Sequence, residues 1–537
     1  MLKPNDIALM SSMSNFISVA SPKLISFYFK IFSILVLTCL IQNEIFAQKK
    51  TTIQLVKAEK MIGRQSAGEE LNIFTGSVLF EHDSVLLYCD SAVLRSKANT
   101  LDAFRNIRIR VNDTLNLYGN QLFYDGNTRI ATVTGDVKLV DNDATLYTDR
   151  LIFDRNTGIG FYNTNGRIVS DTNEFVSREG YFHTRTKILY FKKNVVLTNP
   201  DYRLESDTLV YNTSTEVAFI SGPTTIRGKD DLMYAEDGWY ETKTGKTKLM
   251  VNPYIIDNER YISGDTIHFE RDNDAGEVFG NVFLKDTVQN LIVQGNYSDY
   301  RRKDGYAYVT QKPWATFIDN ADSLWLHADT LHLFFDTTGR ANSFAAYSHC
   351  KFFRKDLQGM ADSLTYSFPD STIIMYHRPV VWTDENQITA EQIRLFISKN
   401  AVDSMWMENA AFIISMDKHS PENFNQIKGK NMTAYFDENE LNRIIVVGNS
   451  ETIYFVREEN GNLIGINRAF SSHMEILIDE RQITDIFYFD RPEATLFPEN
   501  EIQPNELKLR DFRWFENDRP RTRDDIFIWN YEAPALR

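Results

Sequence analysis

The residues that could carry out chemistry are scattered along the chain. Thr242-Lys-Thr-Gly245-Lys246-Thr247 has the closing half of a phosphate-binding loop. Its opening glycine would stand where the chain has Tyr240, and no strand-to-helix pattern follows, so a turn between strands is expected instead. His327 and His332 are too few and badly placed to chelate: on one strand they would face opposite sides. There is no His-Glu-x-x-His and no Cys-x-x-Cys. Aspartates recur at Asp90, Asp149, Asp207, Asp265, Asp329 and Asp362, which could suggest a calcium ladder. One carboxylate every few dozen residues falls short of the roughly six to eight oxygens calcium takes. They read instead as polar residues at the starts of strands. Carboxylates are abundant, but no pair is singled out for glycoside hydrolysis. No catalytic residue, metal ligand or cofactor is therefore assigned.

Composition narrows the class further. The 537 residues are 43% hydrophobic, 24% charged and 13% aromatic, with Phe 37, Tyr 25, Trp 7 and Pro 14. Many aromatics and few prolines favour well-paired strands. The formal net charge is −15, which argues against nucleic acid, because neutralising phosphates needs clustered Lys and Arg. Mean hydropathy is −0.35, which excludes a helical membrane protein. Residues 1–47 differ from the rest. Lys23 and Lys30 precede the apolar run Ile31–Ile41, and small Ala47 follows. This is the pattern of a secretory signal peptide, with an apolar run too short for a comfortable membrane span. Cys39 lies inside it and has a poor lipobox. Cys89 and Cys350 remain in the exported part, and two free thiols are expected rather than a disulfide framework.

The elements that would position any site are repeats. Cys-Asp90-Ser-Ala-Val-Leu, Gly-Asn120-Gln-Leu-Phe-Tyr, Thr-Asp149-Arg-Leu-Ile-Phe, Ser-Asp207-Thr-Leu-Val-Tyr and Gly-Asp265-Thr-Ile-His-Phe share one pattern: small, acidic or Asn, any, aliphatic, any, aromatic or aliphatic. Ala-Asp329, Ala-Asp362 and Ala-Glu391 continue it. Successive steps are 30, 29, 58, 58, 64, 33 and 29 residues, and degenerate copies at Glu179, Glu236 and Asn296 fill the long gaps. Looser units are read near Lys430 and Ile466. After each motif comes an Asp/Asn/Gly turn, such as Asp125-Gly-Asn127, and then a second alternating strand interrupted by a mid-strand glycine, Gly135 or Gly280. One hairpin cannot bury its own apolar face, but stacked copies can. About a dozen units of roughly 30 residues then make an all-β, elongated structure. Alternation places Leu122, Tyr124, Leu151, Phe153, Leu209, Tyr211, Ile267 and Phe269 on one side, with Leu364, Tyr366, Ile393 and Leu395 continuing the lane.

Repeats such as Gly119-Asn-Gln-Leu-Phe-Tyr followed by Ala131, Gly135, Val137 and then Asp149-x-Leu-x-Phe resemble the OstA/LptA family. The likeness is clearest over residues 50–285 and continues more loosely to about 490. The length and the closing segment Phe512–Pro520 are similar to large OstA-like members from Bacteroidota. The resemblance implies an antiparallel β-jellyroll with an open groove that holds acyl chains, and no enzymatic activity. It implies a periplasmic protein that carries lipopolysaccharide from the inner to the outer membrane. Its partners would be lipopolysaccharide, an inner-membrane transport complex and an outer-membrane translocon, reached through edge strands, with self-association end to end as a further possibility. The eight residues from Leu122 to Phe269 become the groove candidates. The organisation expected is a signal peptide (1–47), OstA-like repeats (48–290), further repeats (291–498) and a C-terminal extension (499–537). The competing readings are an exported carbohydrate-active β-helix and a surface adhesin.

Overall fold

In a computed structural model, the described residues are 51–530, apart from 67–68, 112, 258, 320–321, 384, 399–400, 438–439, 459 and 480–481. The signal-peptide reading and Cys39 lie outside them. The described chain is 69% strand and has no α-helix; its 40 strands form one antiparallel sheet. Consecutive strands pair in order. Val85–Arg95, Thr100–Arg110, Asn116–Asp125, Ile130–Val140 and Thr145–Asp154 form an unbroken meander.

Alternate strands of this meander slip out of phase near their middle, whereas Thr100–Arg110 and Ile130–Val140 keep theirs, with Leu101, Ala103, Ile107 and Ile109 buried in the first and Ala131, Val133, Val137 and Leu139 in the second. In Val85–Arg95 the buried residues are Val85, Leu87 and Cys89, then Ala92 and Leu94. The pairing register shifts at the same place, between Tyr88 and Ser91. Across the bend one strand carries one residue more than its partner, as Phe104 to Arg108 does opposite Tyr88 to Ser91, which is a β-bulge, and both arms keep their apolar side inward. The bends carry residues with positive φ: Gly76 and Ser77, Arg105 and Asn106, Gly135 and Asp136, Gly280 and Asn281. The mid-strand glycines expected at 135 and 280 are therefore corners.

This corrects the reading of the recurring acids. All six lie opposite the corner of the neighbouring strand; Asp90, Asp149, Asp207 and Asp362 fall mid-strand, whereas Asp265 and Asp329 do stand just before the strands Thr266–Glu270 and Thr330–Phe335. Asn106 donates to Asp90 at 2.9 Å, Asn252 to Glu236 at 3.0 Å and Asn281 to Asp265 at 3.0 Å. The Asp265 backbone N–H also donates to Phe279 O and Gly280 O. The small residue before each acid is the last inward residue of its arm. At Gly119 and Gly264 an added Cβ would collide with Val133 Cγ1 and Val278 Cγ1, which explains the demand for a small side chain there. The unit read near Ile466 is out of phase: the corner of Leu463–Asp479 is at Ser472 and His473, facing Asp490.

An arm-to-arm strand of 11 residues is about 35 Å long. Even so, His82 at one end of its strand lies 2.7 Å from the Tyr124 hydroxyl near the opposite end of another. The sheet must therefore be folded along its corners like a closed book. Its hairpin turns form two rows that meet across the mouth. Turns of one row stack on each other through backbone bonds, Gly126 N–H to Asn99 O, Arg155 N–H to Arg129 O and Thr184 N–H to Gly158 O. Asp125 and Asp154 close their turns by accepting from Asn127 and Asn156 N–H.

Two apolar clusters fill the book. One runs from Ile53 to Val309 and the other from Leu291 to Ile476. The sheet itself is continuous between them, since Ala275–Asp286 pairs with Leu291–Arg301 along both arms. The closing segment adds no strand. It is a strap that runs back over the outside of the C-terminal strands. Ile502, Leu509, Phe512 and Trp514 pack on Phe412, Ile414 and Phe455. Phe515 and Trp529 cover Trp382, Met360 and Val380.

Candidate functional site

The candidate site is the inside of the folded sheet. All eight groove candidates point inward. Leu122, Tyr124, Leu151, Phe153, Leu209, Tyr211 and Ile267 are buried, and Phe269 packs on them from a half-buried position. They do not share one space. Tyr124 and Phe153 line a cleft of about 20 Å³ with Ile53, His82 and Arg155. Leu151 and Leu209 are sealed in the core at 0% exposure. Tyr211 belongs to an aromatic stack: its ring is 4.6 Å from that of Phe175, which lies 4.9 Å from Phe191. Tyr202 and Tyr240 pack edge to face at 4.9 Å beside it. Burial pushes the Tyr240 phenol up to about 12, so it stays a neutral hydroxyl.

Ile267 and Phe269 open onto a much larger space. A cavity of about 560 Å³ lies between the Tyr240 end of the first cluster and Phe344 of the second. Its walls are mainly apolar, with Ile255, Val278, Val293, Leu331 and Leu333 among them, and charged side chains such as Asp231, Arg260 and Arg271 gather at the rim. Its size falls in the range of about 300–1,000 Å³ that holds small organic ligands. Phe344 closes the far end and meets Phe317 edge to face at 5.7 Å. The strands flanking it, Thr266–Glu270, Leu291–Arg301 and Thr330–Phe335, carry fewer fully buried positions than the strands before residue 255.

The two rows of turns are bridged across the mouth. Arg129 pairs with Asp83 at 2.7 Å, and Arg155 donates to the Tyr124 hydroxyl and to His82 O. Lys187 pairs with Asp141 at 2.7 Å and Asp143 at 3.0 Å. Burial opposes the Lys187 charge, but the two carboxylates outweigh it and raise its pKa. Arg271 donates to Asp231 and to Tyr240, and Arg260 donates to the Tyr300 hydroxyl at 3.2 Å. The last two bridges stand on the rim of the large cavity.

None of the remaining candidates for chemistry forms a centre. Thr242–Gly245 is a turn between Asp231–Glu241 and Lys246–Met250, as expected. His327 and His332 are on different strands, Leu324–His327 and Thr330–Phe335, so the argument from one strand does not apply. His327 sits against Phe527 and Pro313 O, and His332 against Tyr308. Cys89 and Cys350 are free and buried, and burial pushes the Cys89 thiol up to about 12. Among the described residues, no three His, Cys, Asp or Glu side chains gather as a metal site.

Residues 50–207, which span the first meander and its bridges, match the family model described as OstA-like protein. The chain carries an OstA-like domain. The OstA-like family is associated with lipid and lipopolysaccharide transport and is not enzymatic. No curated protein matches the chain. The corners, inward lane and stacked turns of the OstA-like domain continue beyond residue 207 to the last strands. Among the described residues, no helix is long and apolar enough to cross a membrane.

Sequence reasoning missed the bridges, the cavity walls at Val293, Leu331 and Leu333, and the strap. Alternation gives which side a residue faces, but not whether the opposite arm comes close enough to fill the gap. The strap did leave a signal. Val380-Val-Trp382 and Ala411-Phe-Ile-Ile414 are unbroken apolar runs, the mark of strands covered on both faces.

Proposed function

We propose that the protein is a periplasmic lipopolysaccharide-binding bridge that carries lipopolysaccharide from the inner to the outer membrane along its apolar interior. The observation that carries this reading is the cavity of about 560 Å³ set inside a sheet whose inward face is apolar from Ile53 to Ile476. An acyl chain has no hydrogen bonds to offer; it gains ~0.8 kcal/mol for each methylene taken out of water. A repeated apolar wall offers that gain at many successive positions, which suits movement better than a single reactive centre. The OstA-like domain supports the same class of cargo. The partners in this reading are an inner-membrane transport complex and an outer-membrane translocon. They would be met at the sheet edges, where Gln54–Lys57 and Glu493–Phe497 carry exposed Leu55, Val56 and Leu496. A second copy at the same edges is the remaining partner of this reading.

Mass spectrometry of lipids retained by protein purified from its own cells tests the reading. Lipid A species are expected. Protein that carries no lipid, or that cleaves polysaccharide, contradicts it.

A further inference from the structure

Packing around the large cavity says how it is reached. Towards the N-terminus the interior is plugged: Phe175, Phe191, Tyr202, Tyr211 and Tyr240 are buried, and Asn173 ties Tyr202 and Tyr211 together, accepting from one hydroxyl and donating to the other at 3.2 Å each. Towards the C-terminus Phe344 and the second cluster close the lane. An acyl chain arriving along the lane would have to displace a packed core, and interiors packed like crystals do not yield without cost.

The mouth differs. On the rim, Arg271 bridges to Asp231, and Arg260 reaches Tyr300. Past Tyr300 one row of turns presents apolar Phe335, Ala341 and Phe368 to the cavity, facing Leu291 with Asp286 and Gln289 on the other row. The three arginines of the rim make no ready phosphate site, because each is already matched by a carboxylate. Arg271 pairs with Asp231, Arg260 with Asp257 at 3.3 Å, and Arg302 with Asp274 at 3.4 Å.

We propose that the cavity between Ile255 and Phe344 is a discrete acyl-chain site, loaded from the side through the apolar part of its rim, with the Arg260–Tyr300 bridge as a latch. The proposal rests on the lipid-carrying reading above and adds a place and a route to it. The site selects the hydrocarbon, leaving the head group in water. Chains then enter between the rows of turns, and the lane before residue 255 stays filled by its own side chains.

The full chain is titrated with cis-parinaric acid, a fluorescent fatty acid, and three variants are compared with wild type. Leu331→Trp and Val293→Trp fill the cavity, and each is expected to weaken binding at least about tenfold, the equivalent of a few methylenes left in water. Tyr300→Phe removes one latch hydroxyl and keeps the ring; association is expected to speed up about fivefold, the weight of one hydrogen bond. Hydrogen exchange on wild type needs no variant to fold. With the probe bound, protection should rise in Thr266–Glu270, Leu291–Arg301 and Thr330–Phe335, and stay unchanged in Thr145–Asp154. Binding that survives both tryptophans in folded protein, or protection that appears in Thr145–Asp154 instead, overturns the site while leaving the lipid-carrying reading intact. An unchanged association rate in Tyr300→Phe overturns the side route. A wild type that binds no probe overturns the reading and the site together.

Discussion

The strands before residue 255 and those after residue 291 are built from the same corner, yet they are held shut differently. In the first region the sheet closes on itself. Its rows of turns are tied by Asp83, Asp141, Asp143 and Asp231 to Arg129, Lys187 and Arg271, and its interior is filled by aromatics. Its outer face keeps its alternation, with polar residues between exposed rings such as Phe123 and Phe219. In the second region the outer face is covered by the strap. Three buried glutamines grip it. Gln426 donates to Leu507 O and accepts from Leu509 N–H; Gln387 donates to Arg513 O and accepts from Phe515 N–H; Gln358 accepts from Arg519. A glutamine amide offers both a donor and an acceptor, so it satisfies an irregular backbone as another strand would. The comparison teaches that one repeat closes in two ways. The cavity lies where one method gives way to the other.

The comparison can be broken most forcefully at the strap. Truncation before Ile502 exposes Trp382, Phe412, Ile414 and Phe455, each large apolar side chain being worth ~1.5–3 kcal/mol of burial. The C-terminal strands should lose on the order of 5 kcal/mol while the N-terminal strands keep their exchange protection. Calorimetry with hydrogen exchange would read this, and equal loss in both regions would show that the two are not separately held. Trp382→Ala is the single-residue form, with an expected cost of about 3–5 kcal/mol.

Next in size is the shared corner. Gly264→Val pushes a side chain into Val278 and should cost about 1–3 kcal/mol by denaturant melting. A neutral result would mean that the corner is not closely packed and that the small residue of the motif has another cause. Smallest is the bridge. Lys187→Met should cost about 1 kcal/mol, because the lysine is partly solvated and the buried Asp141 still accepts from Asn142 N–H, and the loss should shrink in high salt. The Lys187 pKa is raised in the fold, so its contribution is present below the ordinary lysine range and fades as pH climbs through the raised value. A melt difference between Lys187→Met and wild type that persists unchanged above that range would remove the charge from the account.

Much of this was legible in the chain itself. The motif gave the repeat, and the hidden units at Glu179, Glu236 and Asn296 fall on strands that pair with the rest. Alternation placed Leu122 to Phe269 inside. What it could not give was depth. Tyr211 and Phe269 stand at the same motif position, yet the first is wedged beside Phe175 and the second borders open space. That contrast depends on the opposite arm, which lies dozens of residues away in sequence. It also changes the choice of experiment: a charge at Phe153 or Tyr211 would break the core, so a lost ligand there would report unfolding. Asp90, Asp149, Asp207 and Asp362 were misplaced for a similar reason. In one strand, a polar residue between apolar ones looks like a boundary; only the phase slip beside it reveals a corner.

The most direct test of the lipid-carrying interior is photo-crosslinking in living cells, with a benzophenone amino acid placed at Leu331 or at Leu151. The account predicts a lipopolysaccharide adduct from the cavity position, Leu331, and none from the sealed core at Leu151. Folded protein that yields no lipid adduct at Leu331 would contradict it.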